Sequence, residues 1–124
     1  MFTKKKVWFV SHPSGSASHT PVFFSAINDF AASQEGLEVV FPHQGAEEVH
    51  LTQAQIARAD LVLVEVSIPS TGSGIELGWA NALGKEVVAF HQGGSQPSPA
   101  IKFVAKQIHV YVTREDIINT LDSL

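Results

Sequence analysis

Apolar residues fall into five short runs separated by amphipathic or polar stretches, and this alternation predicts the elements. Val7, Trp8, Phe9 and Val10 form a run rich in β-formers, as expected of a central strand buried on both faces. Thr20 and Pro21 read as an N-cap and a proline at the first helical position, and Val22, Phe23, Ala26, Ile27 and Phe30 then recur at helical spacing up to a stop at Gly36. Further apolar runs at 37–41, 61–66, 86–90 and 108–112 predict four more strands. Between them, helical patterns cover 51–59, 75–83 and 100–106, with Gly84 as a C′ residue. Thr113, Arg114, Glu115 and Asp116 resemble a capping box opening a last helix, whose buried face is Ile117, Ile118 and Leu121.

Strand and helix alternate throughout, which implies right-handed crossovers and a parallel sheet with helices on both faces. The expected fold is a single α/β domain over residues 1–124, a flavodoxin-like or Rossmann-like doubly wound sheet of five strands in the order 2-1-3-4-5. In that order the topological switch lies between the first and third strands. The loops after those two strands, one beginning at Ser11 and one spanning residues 70–76, then face each other across one crevice.

Composition narrows the function classes. A net charge of −4 argues against a broad nucleic-acid surface, and Lys4, Lys5 and Lys6, the one basic run, reads as a solvated lead-in to the first strand. Cysteine is absent, which excludes disulfides, thiolate metal sites and thiol catalysis. No stretch resembles a signal peptide or reaches membrane-spanning length, so a cytoplasmic protein with no membrane partner is expected.

Candidate chemistry gathers in Ser70, Thr71, Gly72, Ser73, Gly74, Ile75, Glu76, Leu77 and Gly78, directly after the third predicted strand. A strand leading through a Gly/Ser turn into a helix aims backbone N–H groups at an anion, and Gly72 and Gly74 serve such a turn. Glu76, taken as lying in the first helical turn, would be held ionised by the positive end of the macrodipole and so be able to act as a nucleophile or an anchor. Taken alone, the stretch also reads as a generic ligand loop. The hydroxyl-rich loop after the first strand offers Ser11 at its exit, and His43 stands at the end of the second strand, as a loop residue or a ligand contact. Glu47, Glu48 and His50 match no metal signature and read as a polar loop entering a helix, so no metal or cofactor is expected. Glu65, inside the third strand, is either directed to the sheet end or held by a buried hydrogen bond.

The run from Ala59 and Asp60 through Leu61, Val62, Leu63, Val64, Glu65 and Val66, followed by Ser67, Ile68, Pro69 and Ser70 and then by residues 72–80, resembles the nucleoside 2-deoxyribosyltransferase family. The likeness leans to its hydrolytic branch, the 2′-deoxynucleoside 5′-phosphate N-hydrolases. It implies that Glu76 is the nucleophile that attacks C1′ of the sugar and forms a glycosyl intermediate. It also implies that Ser11, Ser70 and Ser98 hold the 5′-phosphate, Ser98 coming from the neighbouring subunit of a homodimer with shared sites. The chain departs from the family at two positions. Thr52 stands where the family places an aspartate that assists base departure, and Trp8 replaces a tyrosine of the first strand, keeping an aromatic face for the substrate. His43, Glu47, Glu48 and His50 are then candidate substitutes for the missing acid.

Three readings follow. The first is cleavage of the N-glycosidic bond of a 2′-deoxynucleoside 5′-monophosphate, or deoxyribosyl transfer between bases. The second is a nucleotide-binding module that keeps the crevice without turnover, favoured by Thr52 and Trp8. The third, a flavin-binding or phosphoacceptor domain, places Asp60 at the wrong end of its strand.

Overall fold

The computed structural model describes residues 6–11, 20–41 and 49–124. Strands β1 (Lys6–Ser11), β2 (Leu37–Val40), β3 (Leu61–Glu65), β4 (Val87–Gln92) and β5 (Gln107–Tyr111) alternate with helices α1 (Thr20–Ala32), α2 (Val49–Arg58), α3 (Thr71–Ala82) and α4 (Arg114–Asp122). All neighbouring strands pair in parallel, in the order β2-β1-β3-β4-β5, the order expected from the sequence. The flavodoxin-like α/β fold is therefore the observed one.

Alternate residues of each buried strand feed two cores. Trp8, Val10, Leu61, Leu63, Val88 and Phe90 meet Phe23, Ile27 and Phe30 of α1 and Ile117 and Leu121 of α4. On the opposite face Val7, Phe9, Val62, Val64 and Ala89 meet Ile56 of α2 and Leu77 and Ala80 of α3. Because β1 and β3 are covered on both sides, their sequences read as continuous apolar runs rather than as alternation.

Helix ends follow local chemistry. Gly84 takes φ 69 just after α3, the left-handed conformation that a residue without Cβ adopts at little cost. At α4 the predicted capping box is present: Thr113 Oγ1 accepts from the Asp116 backbone N–H, and the Asp116 carboxylate accepts from the Thr113 backbone N–H. A second backbone donor, Val112 N–H, reaches the same carboxylate oxygen at 2.9 Å. The Thr113 and Val112 amides hold the Asp116 carboxyl below its ordinary pKa, so its contribution to stability is complete above that ordinary value and is lost as pH falls through the lowered one. Thr113→Ala is expected to cost about 1 kcal/mol, seen as a lower urea midpoint at unchanged m-value.

One expected helix is corrected. Residues 100–106 do not form an α-helix; Pro99–Phe103 make one short 3-10 segment capped by Ser98. Ile101, Val104 and Ala105 are only partly buried against the core, and Phe103 stays 77% exposed. The β5 face beyond it stays open, with Ile108 and Val110 exposed.

Candidate active site

The carboxyl ends of β1 and β3 lie side by side, with Ser11 paired in register to Val64. Parity along β1 puts Ser11 on the same side as Phe9, beneath the α2 and α3 layer, and its side chain is fully buried. Above it stands α3. That helix buries Ser73, Leu77 and Ala80, and Glu76, one residue round from Leu77, is half-buried on its flank. The Ser11 hydroxyl donates to Glu76 Oε1 at 2.6 Å across sixty-five residues of sequence. Two of the residues picked from separate loops are thus in direct contact at the switch point.

The setting of Glu76 differs from the expectation in one respect. α3 begins at Thr71 with Ser70 as N-cap, four residues earlier than predicted, so Glu76 sits in the second turn and no acidic residue occupies the first. A helix terminus acts mainly within its own first turn, so the Ser11 hydrogen bond bears on this carboxylate more directly than the macrodipole does. The same shift moves Gly72 and Gly74 from the expected loop into the opening of the helix. Neither has a positive φ, and a Cβ on Gly74 would meet nothing within 4 Å, so these glycines are not demanded by backbone strain.

On the other flank of α3 lies a cleft of about 360 Å³, bordered by Ser70, Thr71, Ser73 and Gly74 of the helix start and by Ser98 and Ile101 across from them. Ser70 Oγ accepts from the Ser73 N–H, and Ser98 Oγ accepts from the Ala100 N–H, both at 3.3 Å. Each serine caps its own segment, and each hydroxyl keeps its proton to donate. The structure therefore brings Ser70 and Ser98 of one chain to the same cleft, and Ser11 to Glu76.

Trp8 is not brought to either place. It points into the α1 and α4 core, on the opposite face of the sheet from Ser11, and stacks on Phe30 with ring centroids 5.8 Å apart. Its expected contact with substrate is corrected to a packing role, because a strand buried on both faces hides its parity in the sequence. His43, Glu47 and Glu48 lie outside the described residues, as does the side chain of His50. Thr52 on α2 is buried, 5% exposed. Asp60 is spent at the amino end of the sheet, where its carboxylate accepts from Val7 N–H at 2.8 Å.

The sequence left Glu65 with two readings, and the buried one holds. Its carboxylate, fully buried, accepts from the Ser67 backbone N–H at 2.6 Å, from the Ser67 hydroxyl at 3.0 Å and from the Tyr111 phenol. Ser67 Oγ in turn accepts from Gln92 N–H at 2.7 Å. Burial, then the hydrogen bond and charge of Glu65, push the Tyr111 phenol well above the usual tyrosine range. Ser67 and Tyr111 carried no signal of their own; the signal available was Glu65 itself, an acid inside an apolar strand that must find donors. Among the described residues no group of three or more His, Asp or Glu is placed to hold a metal ion, and no helix is long and apolar enough to cross a membrane.

No family model and no curated protein matches the chain. Solved structures do. The CMP N-glycosidase BcmB of Clostridium botulinum is similar with a TM-score of 0.71 at 22% identity, over 94% of this chain and 99% of that one. A conserved protein of Enterococcus faecalis gives 0.66 at 13% identity, over 96% and 98%. A flavodoxin-like domain from Synechococcus gives 0.56 at 13% identity, over 94% and 99%. What the chain shares with all three is the fold.

Proposed function

We propose that this protein cleaves the N-glycosidic bond of a nucleoside 5′-monophosphate, with Glu76 as nucleophile. The observation that carries the reading is the Ser11 to Glu76 contact at the β1/β3 switch point, where open α/β sheets bind ligands. The sequence resemblance to the deoxyribosyltransferase family and the structural likeness to a CMP N-glycosidase support the same substrate class.

In this reading a Glu76 carboxylate oxygen bonds to C1′ as the bond from C1′ to the base nitrogen breaks. The electron pair leaves with the base, which takes up a proton. Water then attacks C1′ and gives up a proton to solvent as the bond to Glu76 breaks, and the free carboxylate and the sugar phosphate are released. Ser11 holds Oε1 and so restricts the carboxylate, which reduces the entropic cost of reaching the anomeric carbon. Ser70, together with Ser98 of the partner subunit, donates to the 5′-phosphate, whose binding fixes the sugar and supplies energy remote from the reacting bond. A homodimer with shared sites belongs to the same proposal.

Incubating the protein with CMP and with dCMP and following free cytosine by chromatography tests the reading and ranks the two sugars; the resemblance favours dCMP. Transfer would appear as exchange of label from a second free base into nucleotide. The buried Thr52, in place of the family's aspartate, favours a second reading, a binder without turnover. Nucleotide binding by calorimetry with no cytosine released would decide for it.

A further inference from the structure

Helices α1, α2 and α3 make the first three crossovers of the sheet, whereas the crossover from β4 to β5 is made by the 3-10 segment Pro99–Phe103. That connection runs on the same side as α2 and α3, where Ile101, Val104 and Ala105 pack against their core. A parallel sheet is ordinarily covered on both faces. Here Ile108 and Val110, in register with Ala89 and His91 on that side, are 43% and 59% exposed, and Val112 just beyond them is 73% exposed.

The exposure is one-sided. Leu51 of α2, Ile75 and Leu83 of α3 and its cap, Ile68 beside the α3 cleft and Phe103 of the 3-10 segment add to the three residues of β5. Among the described residues only Val22, on α1, is a large apolar side chain exposed on the opposite layer. The side chains of the open layer together present on the order of 800 Å², more than the apolar patch of an ordinary monomer and about one partner's share of a standard interface.

The form of this layer selects its occupant. A groove of about 430 Å³ runs between α2 and α3, bordered by Ala54, Ala57, Trp79, Ala82 and Leu83, while Leu51, Ile75 and Phe103 are exposed on the same layer. Recess and projection on one face suit a two-fold contact, because each copy supplies both. α2 and α3 hold two charged residues, Arg58 and Glu76, and these are engaged within the chain by Glu38 and Ser11. A charged partner has little here to pair with, whereas contacts between identical subunits are the more apolar class.

We propose that this layer is the contact surface of a two-fold dimer, the open β5 face being covered and the α2/α3 groove filled by the same layer of a second copy. This assigns a surface to the homodimer of the reading above, and it stands on the exposed layer rather than on the nucleotide chemistry.

Sedimentation velocity over a dilution series tests it on the wild type, Val110→Lys, Ala82→Arg and Val22→Lys, with far-UV circular dichroism of each. All three positions are exposed in the single chain, so each variant is expected to fold. The wild type is expected to be a dimer in the micromolar range, with a melting temperature that rises with protein concentration. Val110→Lys and Ala82→Arg should each raise the dissociation constant about 30-fold or more, and Val22→Lys should leave it unchanged. A monomeric wild type would give this face to another occupant and overturn the proposal, as would open assemblies larger than a dimer. So would a folded Val110→Lys or Ala82→Arg variant that stays dimeric, or dissociation caused by Val22→Lys. Base release is scored separately: a dimer broken as expected, with no cytosine freed from CMP or dCMP, would keep this surface while the nucleotide reading falls.

Discussion

Glu76→Gln is expected to abolish base release, with a fall of at least about 10⁴-fold in kcat, while CMP binding and the melting temperature stay close to those of the wild type. The magnitude is that expected for removing the nucleophile of the proposed reaction. Glutamine is the informative replacement. Its amide oxygen still accepts from the Ser11 hydroxyl, which is buried and would otherwise lose the acceptor it has at 2.6 Å. An alanine mixes the two effects, because it takes away both the nucleophile and the partner of a buried hydroxyl. Mass spectrometry of the quenched wild type should show a glycosyl adduct on the peptide containing Glu76, and the Gln variant should show none. Equal cytosine release by the wild type and Glu76→Gln would exclude Glu76 as nucleophile whatever the substrate.

The strand order was legible in the sequence because alternation of apolar runs with helical patterns leaves few ways to cover a parallel sheet. That order alone placed Ser11 near Glu76, residues with no local pattern in common. Where the reading went wrong, the sequence signal was ambiguous for a physical reason. A strand apolar on both faces does not declare its parity, so Trp8 could not be assigned to the Phe30 side or the Ser11 side. Ser70, Thr71, Gly72, Ser73 and Gly74 have low helix propensity and read as a loop, yet Ser70 caps the first turn and burial of Ser73, Leu77 and Ala80 holds it. Conversely, residues 100–106 have acceptable propensity and bury Ile101, Val104 and Ala105 only in part, and they make a single short turn. Propensity yields to tertiary burial in the first case.

The Glu65 network follows the same logic at larger cost, and removing its acid should be the most damaging single change to stability. Glu65→Leu deprives the Tyr111 phenol, the Ser67 N–H and the Ser67 hydroxyl of their common acceptor, all at the carboxyl ends of β3, β4 and β5. Stranded buried donors and a mismatched shape together cost about 3–5 kcal/mol, a large share of a small domain's stability. Urea denaturation reads it directly as a fall in midpoint at unchanged m-value. Tyr111→Phe leaves the carboxylate its two Ser67 donors and should cost less, about 1–3 kcal/mol. The double variant should fall short of the sum, since both substitutions break the same bond. Alkaline pH supplies an independent handle. The Tyr111 phenol is raised in the folded state, so its contribution is complete below the ordinary tyrosine pKa of about 10 and is lost as pH rises beyond it, where the unfolded chain releases a proton that the folded chain retains. Stability of the wild type should therefore decline above that pH, and Tyr111→Phe should remove that part of the slope. An unchanged urea midpoint for Glu65→Leu, or identical alkaline slopes for the wild type and Tyr111→Phe, would mean that the strand ends are held by the apolar core alone.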